Sequence, residues 1–513
     1  MTLLPAWLTP LPDASEQRAI DAWAIEERGI PSLQLMENAG GALAELIDAR
    51  APTGRVAIVC GKGNNGGDGL VAARWLRGRG RDVDVLMLAP GEELTGDARA
   101  NYERLTGEEP LMFMSEMLTG ASVVVDAIFG TGFSGEPRDR AADAIAAINR
   151  AVEGPDAPLV IACDVPSGVD GSTGEVASAA VRADLTITFA AAKPGLWISP
   201  GKTHAGEVTV ADIGIPSGAP VEPEIGLIDP QVVERIPRRA PNSTKFAAGA
   251  VLVCGGSTGL TGAPSLACEA AQRAGAGYVT ALVPASLNLV FEQRLLEAMS
   301  VPLPDGDGAL TVKALETVLK RTERADALVL GPGIGRHPGT QKLVRRLARR
   351  AELPLLLDAD GLNAIAGRLD TIAERPAATI LTPHAGELGR LLERPSAEID
   401  AHRLAGAREA AELSGAIIVL KGDDTLVAEP EGRVAVSRGG ASALATAGTG
   451  DVLSGVIGAY LAKGMDPFAA ACAGVLVHAR AGVLAAETLA TEGVIARDVI
   501  ELLPHARASA LRS

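Results

Sequence analysis

Short, unbroken apolar runs recur along this chain, and each delivers a glycine- or aspartate-bearing loop at its C-terminal end. In the first half Val56–Cys60 leads into Gly61–Gly69, Val123–Ala127 into Phe129-Gly-Thr-Gly132, and Leu159–Cys163 into Asp164-Val-Pro-Ser-Gly168. In the second half Ala250–Cys254 leads into Gly255–Gly259, Ala327–Leu330 into Gly331–Gly335, Leu355–Leu357 into Asp358-Ala-Asp360, Thr379–Leu381 into Thr382–Gly386, and Ile417–Leu420 into Lys421–Thr425. Helical stretches separate the runs. Asp13-Ala-Ser-Glu16 fits a helix N-cap with its capping carboxylate, Gly29-Ile-Pro31 stops that helix, and helices are predicted near Ser32–Arg50, Leu70–Arg79, Ala141–Asn149 and Ala263–Gly275. Apolar strands alternating with helices predict parallel sheets covered on both faces. Such sheets bind ligands beyond the C-terminal ends of their strands, so two series predict two separate sites. Between them, Pro216 to Pro241 holds six prolines and no long periodic run. The expected division is a domain over 1–217, a Pro-rich linker over 218–241, and a domain over 242–513.

Composition narrows the partners. A formal net charge of −16 argues against nucleic acid or an anionic membrane, which demand an excess of Lys and Arg. It permits a phosphate-bearing small molecule held by backbone N–H groups at helix starts. The five cysteines, Cys60, Cys163, Cys254, Cys268 and Cys472, show no metal-binding spacing and read as buried reduced thiols. The first residues carry prolines and no basic residue, unlike a signal peptide, and no uninterrupted apolar run reaches the ~18 residues of a membrane span. The expected location is the cytoplasm.

In the first half Gly61, Gly63 and Gly66 match GxGxxG between a strand and a helix, yet Ala89-Pro90 stands where a ribose-binding acid should end the second strand. A nucleotide-like ligand in an atypical pose is therefore expected. Asp126 and Asp164 each end a strand, where they can bind a cation, transfer a proton, or equally cap a helix. Gly201-Lys-Thr203 is not a P-loop, because Leu196 occupies the position of its first glycine.

In the second half the strongest motif is Ala445-Thr-Ala-Gly-Thr-Gly-Asp-Val-Leu-Ser-Gly455. Small residues before a helix that starts near Gly450 expose backbone N–H groups as an anion hole for a transferring phosphoryl group. Asp451 stands where it can take the proton of an attacking hydroxyl.

The motifs Pro31–Ala39, Gly61–Gly69, Val125–Gly132, Asp164–Gly168 and Lys193-Pro-Gly195 together resemble the NAD(P)H-hydrate epimerase domain, over roughly Leu11–Ser217. The second half, about Asp229–Leu503, resembles the ribokinase-like family and, more narrowly, the ADP-dependent NAD(P)H-hydrate dehydratases. The narrower likeness rests on Gly255–Pro264, Arg273–Gly277, Gly331–Gly335, Asp358–Asn363, Leu381–Glu387 and Leu420–Gly422. The resemblance implies an α/β chain of two domains, a Rossmann-like parallel α/β/α sandwich followed by a ribokinase-like α/β/α domain. It implies K+ at Asn65, Asp126 and Ser167. Epimerase contacts to the hydrate fall at Asn64, Asn65, Gly66, Gly67, Asp68, Gly130, Thr131, Gly132, Phe133, Ser134, Gly135, Glu136 and Asp164, with Asp164 the candidate for proton transfer. Ala263, Gly333, His384 and Asp451 would contact the hydrate in the dehydratase. Lys421, Gly422, Asp423, Asp424, Thr425 and Gly450 would contact ADP, with Mg2+ screening the phosphates and Asp451 as base. The implied substrates are the NADH and NADPH hydrates with ADP, and the implied assembly a homo-oligomer. The stretch Ser243–Gly249 departs from the family pattern: Lys245 is present, but the histidine that usually precedes it is not. Two other readings stand beside this one: a ribokinase-like kinase of a vitamin precursor, and an N-terminal half that only binds nucleotide.

Overall fold

The computed structural model describes residues 4–154 and 156–511. The chain forms two compact units, one running from Pro10 to Gly226, the other made of Pro5–Thr9 and the described chain from Leu227 onward.

In the first unit seven strands lie in the order Leu111–Met112, Val83–Met87, Val56–Cys60, Val123–Ala127, Leu159–Cys163, Leu185–Phe189, Glu207–Ala211. Every neighbouring pair is parallel. This is the Rossmann-like, doubly wound arrangement. Its strand order reverses between Val56–Cys60 and Val123–Ala127, and a crevice opens there at the strands' C-terminal ends. Alternate residues of one strand enter opposite cores: Val56, Ile58 and Cys60 pack on one face, Ala57 and Val59 on the other. That two-sided burial is why these strands read as unbroken apolar runs. Asp13 caps the helix Ala14–Glu26 by accepting from the Ser15 and Glu16 N–H groups, and Glu16 returns a bond from the Asp13 N–H at 2.7 Å.

The glycine-rich stretch Gly61–Gly69 reads as a loop in the sequence, but the helix already begins at Asn64 and runs to Gly78. The glycines serve close packing rather than loop freedom. A Cβ on Gly66 would run into the Gly61 carbonyl, one on Gly67 would lie 2.7 Å from the Met36 sulfur, and one on Gly69 2.8 Å from the Ala127 side chain. The helix can therefore start directly against the sheet and point its first turn into the crevice.

The second unit is built on an eleven-stranded sheet. Its central strands, in spatial order Ile417–Leu420, Thr379–Leu381, Leu355–Leu357, Ala327–Leu330, Ala250–Cys254, Tyr278–Pro284 and Met299–Leu303, are parallel. Leu426–Ala428 and Val434–Val436 continue the sheet antiparallel. Helices cover this sheet, among them Gly262–Arg273 and Thr449–Ala462. The helix Pro467–Leu489 is long and apolar enough by composition to cross a membrane, but 72% of that window is buried inside the structure.

The segment 218–241 departs from the linker expected of it. Ile225–Ile228 is a wholly buried strand of the eleven-stranded sheet, and the units divide within it, after Gly226. Pro230 opens a short helical turn capped by Asp229, which accepts from the Gln231 N–H at 2.9 Å. Proline at a first helical position is favourable, so here it marks a start and not a spacer.

Candidate functional site

The first crevice is a cavity of about 650 Å3. The helix starting at Asn64 supplies Asn64, Asn65 and Asp68, and the loop after Val123–Ala127 supplies Gly130, Thr131, Gly132 and Phe133. Asp164 and Lys193 complete the floor, and Gln17 and Asp21 reach in from Ala14–Glu26. A Cβ on Gly130 would stand 2.8 Å from an Asp164 oxygen and 3.2 Å from the Asn65 amide oxygen, so glycine leaves open the cradle between them.

Asp164 adopts φ 66°, a left-handed conformation that a non-glycine residue holds only where its surroundings enforce it. The enforcement is visible. One carboxylate oxygen accepts from the Thr131 N–H at 2.7 Å and the Thr131 hydroxyl at 2.6 Å. The other accepts from the Thr188 hydroxyl at 3.1 Å and the Lys193 ammonium at 3.0 Å. Burial works against its charge, but Lys193 and the Thr131 donors outweigh it and hold the carboxyl below its usual range. Lys193 is itself buried and also donates to the Thr188 hydroxyl and the Phe189 carbonyl. Asp68, also buried, behaves oppositely. Burial, then the negative charge of Asp164, pushes it well above the usual carboxylate range, with Lys193 pulling the other way. Two carboxyls in one crevice are thus driven apart, the arrangement that separates a charged anchor from a proton holder.

Beside them Asp126 and Ser167 form a buried knot. The Ser167 hydroxyl donates to Asp126 at 2.6 Å, the Ser167 N–H donates at 2.7 Å, and the Phe129 N–H donates to the Ser167 oxygen at 2.8 Å. Burial raises the Asp126 carboxyl to about 6. Both amide atoms of Asn65 are buried with no hydrogen-bond partner. Among the described residues no cluster of three or more His, Cys, Asp or Glu could hold a metal ion. One carboxylate with neutral oxygen donors is an all-oxygen set, which suits a hard cation better than the softer metals that thiolate and imidazole ligands select. Not every expected contact lines the cavity. Gly66 and Gly67 pack against neighbouring elements, and Ser134, Gly135 and Glu136 are exposed beyond the cavity's lining.

The second unit holds a cavity of about 400 Å3 walled by Lys421, Gly422, Asp423, Thr425, Gly450 and the helix carrying Val475 and His478. The helix Thr449–Ala462 starts here, so the backbone N–H groups of its first turn are available to an anion. A Cβ on Gly450 would lie 3.5 Å from the Lys421 ammonium. Lys421 is held by Asp358 at 3.0 Å and lies 3.6 Å from Glu387, while the Ser454 hydroxyl donates to the other Asp358 oxygen at 2.7 Å. Burial disfavours the Lys421 charge, but Asp358 and then Glu387 outweigh it. Asp451 is pushed up to about 7, by burial first and then by Asp358, with Lys421 pulling it down and Glu387 adding to the rise. A carboxyl poised near neutrality is suited to general-base work.

Further expected residues join this region. His384 caps the helix Ala385–Leu392, its Nδ1 accepting from the Gly386 N–H at 3.0 Å, and its backbone bridges that of Lys421. The side chain is 55% exposed, and its Nε2 lies 3.6 Å from the Glu387 carboxylate. Ala263 and Gly333 adjoin: a Cβ on Gly333 would lie 3.3 Å from that of Ala263. Asp424 departs from expectation. Its side chain does not line the cavity but is buried beneath the loop in an ion pair with Arg403 at 2.9 Å, and Arg403 also donates to the Leu420 and Lys421 carbonyls. Asp424 shapes the loop from below because the turn between Ile417–Leu420 and Leu426–Ala428 directs it toward Arg403, the first residue of the helix Arg403–Ser414. Lys193, Asp21, Asp358, Arg403 and His478 were not singled out as site residues in the sequence. Lys193 and Asp358 stand within sequence motifs, but their roles come through partners elsewhere in the chain, Asp164 and Lys421, and Asp21, Arg403 and His478 carry no motif of their own.

Residues 251–505 match the family model for NAD(P)H-hydrate dehydratase, and residues 32–195 match that for the YjeF-related protein N-terminus. The chain is 40% identical over 510 residues to the bifunctional NAD(P)H-hydrate repair enzyme Nnr of Moorella thermoacetica, covering 96% of this chain and 95% of that one. It is 40% identical over 532 residues to the same-named protein of Salinibacter ruber, covering 97% and 96%. Among solved structures, an ADP/ATP-dependent NAD(P)H-hydrate dehydratase from Bacillus subtilis, co-crystallized with ATP/Mg2+, is 29% identical with a TM-score of 0.48. It covers 54% of this chain and 96% of that one.

Proposed function

The chain belongs to the bifunctional NAD(P)H-hydrate repair enzymes, and from that premise we propose how its two sites divide the work. It is an NAD(P)H-hydrate epimerase fused to an ADP-dependent NAD(P)H-hydrate dehydratase. Family membership favours this over a vitamin-precursor kinase, and the retained polar groups of the first crevice favour catalysis there over mere binding.

In the first crevice the hydrate is held with its hydrated ring carbon near Asp68 and Asp164. Asp68 carries the proton, which it gives to the departing hydroxyl. The ionised Asp164, anchored by Lys193 and Thr131, stabilises the positive charge that ring nitrogen and carbon then share. Water returning from either face restores R or S hydrate and the proton. A potassium ion would be held by Asn65, Asp126 and Ser167, supplying a fixed positive charge beside the buried Asp126 and a partner for the Asn65 amide oxygen.

In the second site ADP occupies the cavity beside Gly450, and the hydrate lies toward Ala263, Gly333 and His384. Asp451 takes the proton of the ring hydroxyl as its oxygen attacks the β-phosphoryl group, and AMP departs. Loss of the new phosphate ester with a neighbouring proton restores the nicotinamide double bond. Magnesium bound with the nucleotide would screen its phosphates, chiefly through substrate oxygens and water. Lys421 and the first turn of the helix from Thr449 meet the transferring group.

The observation that carries this reading is Asp451 poised near neutrality at the head of a helix beside a nucleotide-sized cavity. Pure S hydrate with ADP is expected to yield NADH, AMP and phosphate in equal amounts. Because Asp451 must be ionised to act, kcat/KM for the hydrate should rise with pH, level off above about 7, and fall tenfold per unit below it. A flat profile through neutrality, or NADH formed without AMP, contradicts the assignment.

A further inference from the structure

The first crevice holds a second free carboxyl besides Asp68. Asp21 belongs to the helix Ala14–Glu26, which turns one side to the cavity at Ala14, Gln17, Arg18, Asp21 and Ile25. Asp68 lines the same cavity from a different element, the helix Asn64–Gly78. One Asp21 oxygen accepts from the Gln17 amide at 2.8 Å. Among the described residues the other Asp21 oxygen and both Asp68 oxygens have no hydrogen-bond partner, and none of the three is sealed off by its surroundings. All three are within reach of a ligand in the cavity. Asp164 has no such freedom, because Thr131, Thr188 and Lys193 occupy its oxygens. Burial raises the Asp21 carboxyl above its usual range, with Gln17 and Lys193 pulling it down and Asp164 adding to the rise. Asp21 is in turn one of the charges that raise Asp68. Asp97, the remaining carboxyl of the lining, is not among the charges that act on Asp21 or Asp68.

The R and S hydrates differ in which face of the ring carries the hydroxyl. A hydroxyl that leaves one face needs a proton there, and water that adds to the other face must give one up there. A carboxyl fixed to one wall serves one face of a ring that does not turn over while bound. We propose that Asp21 is the second proton carrier of the epimerase, serving the face of the hydrate that Asp68 does not. This rests on the reading of the first crevice as the epimerase site from which the hydroxyl departs. Of the two carboxyls, one starts protonated and the other ionised. The first gives its proton to the hydroxyl oxygen, which leaves as water with the electron pair of the C–O bond, while the ring-nitrogen lone pair closes a C=N bond. Water then bonds to the same carbon from the other face, the C=N pair returns to nitrogen, and the second carboxyl takes the released proton. The proton passes back through solvent, and the roles exchange in the reverse reaction.

The test is carried out on the full-length protein in 18O-labelled water without ADP, with separated R and S hydrates analysed by mass spectrometry against an enzyme-free control. Wild type should place label in both hydrates and invert them. Asp21→Asn should slow inversion about 10²–10⁴-fold, the usual contribution of one positioned acid or base. It should still exchange label, without inversion, into one hydrate only, the one whose hydroxyl meets Asp68. Asp68→Asn should exchange label into the other hydrate only. A merely structural role for Asp21 predicts instead equal loss of exchange in both hydrates, and that result overturns the proposal. So does inversion by Asp21→Asn at the wild-type rate, or one-sided exchange produced by Asp97→Asn. If Asp21→Asn does not fold, Asp68→Asn decides: exchange lost from both hydrates means that one carrier serves both faces and overturns the proposal. Wild type that inverts the hydrates without taking up label overturns instead the reading on which the proposal stands, since the C–O bond would then stay intact.

Discussion

Replacing Asp451 with asparagine is expected to slow ADP-driven dehydration of S hydrate by about 10²–10⁴-fold, the usual contribution of a positioned general base, while R and S hydrates still interconvert. Asparagine keeps the shape of the side chain but cannot take a proton. The loss falls on kcat, because the anion hole at the start of Thr449–Ala462 and the Lys421–Asp358 pair remain to bind the nucleotide. ADP affinity should therefore change little. Removing a carboxyl that burial and Asp358 push up to about 7 also relieves strain, so the melting temperature should hold or rise. A loss below about tenfold would mean that the hydroxyl proton leaves by another route.

Asp164→Asn is expected to abolish epimerisation and leave dehydration of pure S hydrate intact. The carboxylate is buried among four donors, and its Lys193 partner is buried with it, at 15% and 2% side-chain exposure. An amide cannot accept from all four, and it leaves the ammonium without its counter-charge, a change that costs about 3–5 kcal/mol in buried pairs. Because this variant can lose the shape of its crevice, Asp68→Asn is the sharper companion. It leaves the Asp164–Lys193 pair in place and removes only the proton carrier. Both should stop epimerisation, measured as interconversion of separated R and S hydrates. Asp68→Asn with normal epimerisation would return the proton to Asp164.

Much of this architecture was legible because both sheets are buried on two faces. Val56–Cys60, Val123–Ala127, Ala250–Cys254 and Ile417–Leu420 are apolar at every position or nearly so, and their bounds match the expected strands. Glu207–Ala211 went unseen because its half-exposed residues show no unbroken apolar run, and Ile225–Ile228 because prolines surround it. The glycines at 61–69 were visible, but their reason was not. Whether a glycine frees a loop or lets a helix touch a sheet depends on a neighbour such as Met36 that sequence does not place. In the sites, residues at the end of a strand or directly after it were legible: Asp126, Asp164, Lys421. Residues whose meaning is pairwise were not. Lys193 matters through Asp164 and Arg403 through Asp424.

The central claim is that one chain carries both activities, and recovery of reduced nicotinamide from a mixed pool of R and S NADH hydrates tests it most directly. With purified protein, ADP, Mg2+ and K+, near-ultraviolet absorbance should return to the level of the whole pool, since epimerisation feeds the R form into the dehydratase. Recovery that halts at the S fraction, with the R form left behind, contradicts the account.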